Sequence, residues 1–364
     1  MRAPMVCVVA FLATTATVLP AQDPPVARFK QTVDAAHAGG TFDGVVVITQ
    51  HGRTVFTEAV GASDRAARRA FVPEARFRLA SLTKQVTALL VLQEVERKTM
   101  RLDQPVAELL PGLSSATGRV TVRQLLQHIS GLPNPSAGPD DEVPKFYLKT
   151  DVDAGYLERT ATGFCSGVPV RAPDEKFEYN NCDYLVLGAA LERVTGLRYA
   201  NLLRARVTAP LGLRSWGMFA GDGRRPVVVK GYGADGALEL PQNAATYAAA
   251  GGLYGNALDV ATWNTALLTN KLLTAESTAL LFKGERNLGG EALGSWSYDL
   301  PGTSPALHLV ERQGDIGGTR VLSLLLPQQD ASIVILANTE KADLFNTYSQ
   351  KGLGFALVKA FTGR

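Results

Sequence analysis

The chain has 364 residues, 46% of them hydrophobic and 20% charged, a balance that excludes a disordered or collagen-like polypeptide and allows a sizeable core. With 37 basic against 34 acidic residues and a net charge of +3, there is no strong field to draw in nucleic acid or anionic lipid, and neither is expected as a partner. Three cysteines and four histidines show no metal-ligand spacing, so neither a metal nor another cofactor is expected.

The first residues read as an address rather than as structure. Arg2 supplies positive charge, residues 5–19 are apolar but short for a membrane crossing, and Leu19-Pro20-Ala21 ends the stretch with a small residue. This predicts a signal peptide over residues 1–21, cleaved after Ala21, with a membrane anchor as the competing reading. No later segment stays apolar long enough to cross a bilayer. Residues 22–364 are therefore expected as an exported protein, periplasmic or secreted, without an integral membrane segment. Cys7 leaves with the leader. Cys165 and Cys182 then stand in an oxidising compartment, either bridged or as two buried thiols.

A helix is predicted over residues 25–37. Strands follow over 44–49 and 53–60, joined at His51-Gly52, and a short extended piece over 76–79. A strong helix runs over 81–97, where Val86, Leu89, Leu90, Leu92 and Val95 fit the helical period. Further helices are predicted over 122–128, 184–194, 200–207 and 258–268. Strands are expected over 307–311, 320–326 and 332–337, and a last amphipathic helix over 344–361. Strands at both ends and helices between them imply an α/β (α+β) fold. The first and last strands share an antiparallel sheet covered by the terminal helices, and a mostly helical subdomain, about residues 100–235, is inserted. A cleft between the two parts is the natural place for a site.

Two short constellations carry chemistry. Ser81-Leu82-Thr83-Lys84 opens the strong helix. Residues i and i+3 share a helical face, and the helix N-terminus directs unpaired N–H groups at whatever binds there. A serine nucleophile needs a base beside it and donors for a developing oxyanion. Tyr179-Asn180-Asn181 precedes a helix expected to begin near Asp183 and can add a phenol and an amide. Alone, each has a structural reading: a capping serine with a surface lysine, and a buried tyrosine with a capping asparagine.

The order of the segments is more specific. Arg76-Phe77-Arg78-Leu79-Ala80-Ser81-Leu82-Thr83-Lys84, Gln127-His128-Ile129-Ser130-Gly131-Leu132-Pro133, Tyr179-Asn180-Asn181, Pro210-Leu211-Gly212-Leu213 and Gly251-Gly252-Leu253-Tyr254 together resemble the serine β-lactamase-related hydrolases. That family includes penicillin-binding DD-peptidases, class C β-lactamases and related esterases, and S-x-x-K is one of its motifs. The Y-x-N element is similar to that of the class C branch. The resemblance implies a β-lactamase/transpeptidase-like fold with the site in the cleft. It also implies a serine hydrolase acting through an acyl-enzyme on Ser81, on cell-wall-type peptides, β-lactams or small esters and amides.

The third family motif departs from its pattern. Arg312-Gln313-Gly314 stands where Lys or His, any residue and Gly are usual, and Asp315-Ile316-Gly317 is the shifted alternative. Arg312 keeps the cation but cannot donate a proton at neutral pH; its fork suits a substrate carboxylate. The resemblance implies Ser81, Lys84 and Tyr179 as catalytic, with Lys84 or Tyr179 as base. It implies Asn181, Arg312, Gln313, Gly314 and Asp315 as substrate-binding, and the N–H groups of Ser81 and Asp315 as the oxyanion hole. His128 reads as a structural histidine, since the chain has no G-x-S-x-G elbow. A non-catalytic descendant that binds peptidoglycan or a partner is the competing reading. The expected partner is a small-molecule or peptide substrate.

Overall fold

Gly44-Val45-Val46-Val47-Ile48 has no polar side chain to offer solvent, and the fold buries the run on both faces. In the structure, a computed structural model describing residues 25–136, 142–220 and 226–363, this run is β1 (Gly44–Gln50) of a six-stranded antiparallel sheet. The expected signal peptide lies outside the described residues. The other strands are β2 (Arg53–Val60), β3 (Trp296–Asp299), β4 (His308–Ile316), β5 (Thr319–Leu326) and β6 (Ala331–Ala337), in the spatial order β2-β1-β6-β5-β4-β3. Gly44 pairs with Ala337 and Gln50 with Ala331, so the first and last strands lie side by side, as expected.

Period-2 alternation sends the side chains of one strand into two cores. Val46, Ile48, Leu322, Leu324, Ile333 and Ile335 face the terminal helices α1 (Val26–Ala38) and α5 (Gly352–Thr362). Val45, Val47, Val321, Leu325, Val334 and Leu336 join the larger core of the central helices. Three of those helices matter here: α2 (Leu82–Glu96), α3 (Asn181–Thr195) and α4 (Ala257–Leu268).

The differences from the sequence reading have local causes. The helix of 122–128 stops at Leu126 because His128 and Gly131 take left-handed backbone (φ 57° and 72°). α3 starts earlier than expected, at Asn181, because Asn180 caps it, its side chain accepting from Cys182 N at 2.8 Å. α5 starts eight residues late; Gln350 and Gly352 at φ 59° and 75° keep the preceding residues in turns. The helix of 200–207 is regular only over Tyr199–Leu203 and continues as a π-turn, Arg204–Thr208. β4 runs on to Ile316, so Arg312, Gln313, Gly314 and Asp315 all lie on a strand. β3, which sequence reasoning missed, pairs with β4 only from His308 to Glu311. Beyond that point β4 is an open edge facing the start of α2.

Cys165 and Cys182 are joined by a disulfide with Cα atoms 5.3 Å apart, which ties a short turn to the first turn of α3. Among the described residues no helix is long and apolar enough to cross a membrane.

Candidate active site

Ser81 stands at the elbow between the short strand Phe77–Arg78 and α2. Ala80 is held at φ 47°, a costly conformation for a residue with a Cβ. Thr83 Oγ1 donates to Ala80 O at 2.7 Å, and Leu79 N donates to Leu253 O at 2.8 Å. The elbow is thus fixed from both sides. It leaves Ser81 half-buried, while its neighbours Leu79, Ala80, Leu82, Thr83 and Lys84 are buried completely.

The helical spacing then does what the sequence implied. Lys84 Nζ donates to Ser81 Oγ at 3.2 Å, to Asn181 Oδ1 at 2.6 Å and to Ala250 O at 2.8 Å. Tyr179 Oη donates to Ser81 Oγ at 2.5 Å. The hydroxyl of Ser81 therefore lies within hydrogen-bond reach of two candidate bases. Burial, joined by the nearby Arg312 cation, pulls the Lys84 ammonium down to about 8 against the opposing pull of Tyr179 and Asp183. Burial by itself would raise the Tyr179 phenol. The cations Arg312 and Lys84, helped by the hydrogen bond to Ser81, outweigh it and hold the phenol below its ordinary value.

Arg312 is only 1% exposed. Its Nη2 donates to Tyr179 Oη at 2.8 Å and its Nη1 to Gly294 O at 3.4 Å. The guanidinium also lies over the Trp296 ring, 5.1 Å from its centroid. The fork is thus turned onto the phenol rather than held out to the cleft for a carboxylate. Strand alternation separates the next two residues. Gln313 points to the opposite face, where Nε2 donates to Glu311 Oε1 at 2.5 Å and to Phe345 O at 3.4 Å, and it does not join Ser81. Gly314 does: a Cβ there would stand 2.8 Å from Leu79 O and 3.1 Å from Ser81 N, so only glycine lets the strand lie against the elbow. Asp315 is exposed at the rim, 3.3 Å from Arg320 Nε. It borders a cavity of about 610 Å³ that Gln242, Tyr247, Glu239 and Glu340 also line.

Some of the assembly has no signal in the sequence. Asn181 Nδ2 donates to Tyr147 Oη at 2.7 Å and to Ser136 Oγ at 3.1 Å. The Tyr147 ring stacks on Tyr247 with centroids 4.0 Å apart. Both tyrosines come from stretches without a readable motif. His128 is structural, as expected: it is buried, with Nδ1 2.9 Å from Asp183 Oδ2, while Ser130 Oγ donates to the other oxygen of the same carboxyl. Burial drives its imidazole well below its ordinary value. Its ring packs 4.6 Å from that of Tyr179, behind the motif. Among the described residues no group of three or more His, Cys, Asp or Glu side chains is placed to hold a metal.

The family profile described as Beta-lactamase matches residues 29–350. The chain belongs to the beta-lactamase family. That family is one of serine hydrolases, the enzyme class the motifs implied. Esterase EstB of Burkholderia gladioli is 32% identical over 189 residues, covering 50% of this chain and 48% of its own. The chain thus spans about half the length of that curated relative. Among solved structures, the octameric penicillin-binding protein homologue from Pyrococcus abyssi superposes with a TM-score of 0.77 at 22% identity, over 93% of this chain and 77% of that one. D-amino acid amidase from Ochrobactrum anthropi SV3 does so with a TM-score of 0.77 at 20% identity, over 93% and 99%. At such identities these two likenesses establish the β-lactamase and penicillin-binding-protein fold.

Proposed function

We propose that the protein hydrolyses small esters or amides by acyl transfer through Ser81. The observation that carries this is the contact of Ser81 Oγ with both Lys84 Nζ and Tyr179 Oη, at 3.2 and 2.5 Å. Ser81 Oγ attacks the substrate carbonyl, and its proton passes to Tyr179 as phenolate or to Lys84 as amine. The N–H of Ser81 and the open edge of β4 at Asp315 receive the oxyanion. Collapse of the tetrahedral adduct expels the alcohol or amine, which takes the proton. Water, activated through Tyr179, then cleaves the serine ester and releases the acid. Asn181 holds Lys84 in place.

The substrate class follows from Arg312. With its guanidinium committed to Tyr179 and carboxylates along the neighbouring cavity, the cleft favours neutral acyl donors over β-lactams or peptides that end in a carboxylate. Catalysis is favoured over a purely binding descendant because such a protein has no need for a buried lysine whose hydrogen-bond partners are all uncharged. We further propose that the protein works after export, a reading supported by the Cys165–Cys182 bridge. The test is intact-mass spectrometry after exposure to a panel of acyl donors. Neutral esters or amides should leave a transient adduct on Ser81, and a panel in which only penicillins acylate overturns the substrate class.

A further inference from the structure

Lys84 and Arg312 are both buried, yet among the described residues their hydrogen-bond partners are all uncharged oxygens: Ser81 Oγ, Asn181 Oδ1 and Ala250 O for the lysine, Gly294 O and the phenol of Tyr179 for the arginine. Two cations in a dry site call for an anion. Asp183, one candidate, is engaged by Ser130 and His128.

The other is Glu291. It is 0% exposed, and neither carboxyl oxygen has a hydrogen-bond partner. Native proteins rarely bury such a group without a reason. It lies on a tight turn closed by Ala292 N donating to Ser295 O at 2.7 Å. That turn is wedged against the site: a Cβ on Gly294 would stand 2.8 Å from Lys84 O and 3.0 Å from Tyr184 Oη, and Gly294 O is the acceptor for Arg312. Arg312 in turn leaves a buried Nε without a hydrogen-bond partner. The unmet carboxyl and the unmet guanidinium N–H thus belong to a turn and a strand that are joined by the Arg312–Gly294 hydrogen bond. The charged and titratable groups facing Glu291 are Arg312 from β4, Lys84 from α2 and Tyr184 from α3. Burial pushes its carboxyl well above the usual carboxylate range, but the Arg312 and Lys84 that face it hydrogen-bond to no other anion among the described residues, which favours the ionised form.

We propose that Glu291 is the buried counter-charge of Arg312 and Lys84, a positioning residue that acts on Tyr179 through Arg312 and limits how acidic the phenol becomes. This deepens the serine-hydrolase reading and rests on it. Without the Glu291 charge the two cations act unopposed on Tyr179, and its phenol loses its proton at lower pH.

The experiment is the pH dependence of the second-order rate at which a neutral alkyl fluorophosphonate labels Ser81. Glu291→Gln should move the acid limb down by about half a pH unit or more. Glu291→Asp should keep the wild-type limb, and so should Ser295→Ala, which alters the same turn without changing charge. A Glu291→Gln limb that coincides with wild type, or an equal displacement by Ser295→Ala, overturns the proposal. Thermal melting supplies a second arm that needs no activity. Glu291→Gln leaves both cations unopposed and Arg312→Met removes one of them, so Arg312→Met should cost less in the Glu291→Gln background than in the wild type; losses that simply add overturn the pairing. If the wild-type protein is not labelled at Ser81, the hydrolase reading fails, while the melting cycle still decides the pairing.

Discussion

Arg312 Nη2 lies 2.8 Å from Tyr179 Oη, and that single contact ties the strand carrying the third motif to the phenol of the second. Because the guanidinium stays charged throughout the working pH range, it is a fixed field on Tyr179. Arg312→Met should raise the pKa of both Tyr179 and Lys84, since each is lowered by this cation. The acid limb of kcat/KM for a neutral ester should therefore move up by about one pH unit, and Arg312→Lys should restore part of the shift. A profile that keeps its position while only the amplitude falls would assign Arg312 a packing role.

The nucleophile is tested by labelling. A fluorophosphonate should add once, at Ser81 in peptide mapping, and Ser81→Ala should lower turnover by about four orders of magnitude or more. An adduct on another serine of the folded protein sinks the mechanism.

Lys84 and Tyr179 touch the same oxygen, and losses of groups that act as a unit do not multiply. Lys84→Ala and Tyr179→Phe should each cost about 10²- to 10⁴-fold, and the double variant little more than the worse single. Multiplication of the two losses would mean independent roles.

Gly314 is tested by one methyl group. A Cβ at 2.8 Å from Leu79 O has only backbone to displace, so Gly314→Ala should push β4 off the elbow and reduce kcat by about tenfold or more, since small misplacements at a reacting centre are costly. Unchanged kcat would show that the strand edge does not take part in positioning.

The Cys165–Cys182 bridge closes a loop over a separation of 17 residues, for which chain entropy gives about 3 kcal/mol. The Cys165→Ser/Cys182→Ser pair should lose about that much in denaturant unfolding. Because Cys182 follows Asn181, labelling of Ser81 should slow as well. Full stability in the double variant would contradict the loop-closure account.

Much of this architecture is legible in the residues. The Val45–Ile48 run, the helical stripe after Ser81 and the late Leu/Val-rich strands each carry a clear period, and the Ser81–Lys84 spacing by itself places both on one face. What was not legible depends on neighbours distant in sequence. Trp296 starts a four-residue strand too short to show alternation. The direction of the Arg312 fork depends on Tyr179, 133 residues away. Gln313 was read as lining the cleft because the motif is continuous in sequence, whereas a strand turns every second side chain to the other face. No motif or period around Glu291 marks it as buried; only the turn wedged against Lys84 removes it from water.

The pairing of β1 with β6 sets an order of events for the growing chain. Ser81, Lys84 and the start of α2 are made early, but Gly314 and Arg312 come more than two hundred residues later, and the strand that joins β5 to β1 is made after those. Contacts of such long range form slowly. Until they form, the serine has its lysine but neither its strand edge nor the cation that acidifies Tyr179. On the proposed reaction, a partly made chain therefore carries a chemically quiet Ser81, and acyl transfer from this serine reports completed folding rather than synthesis.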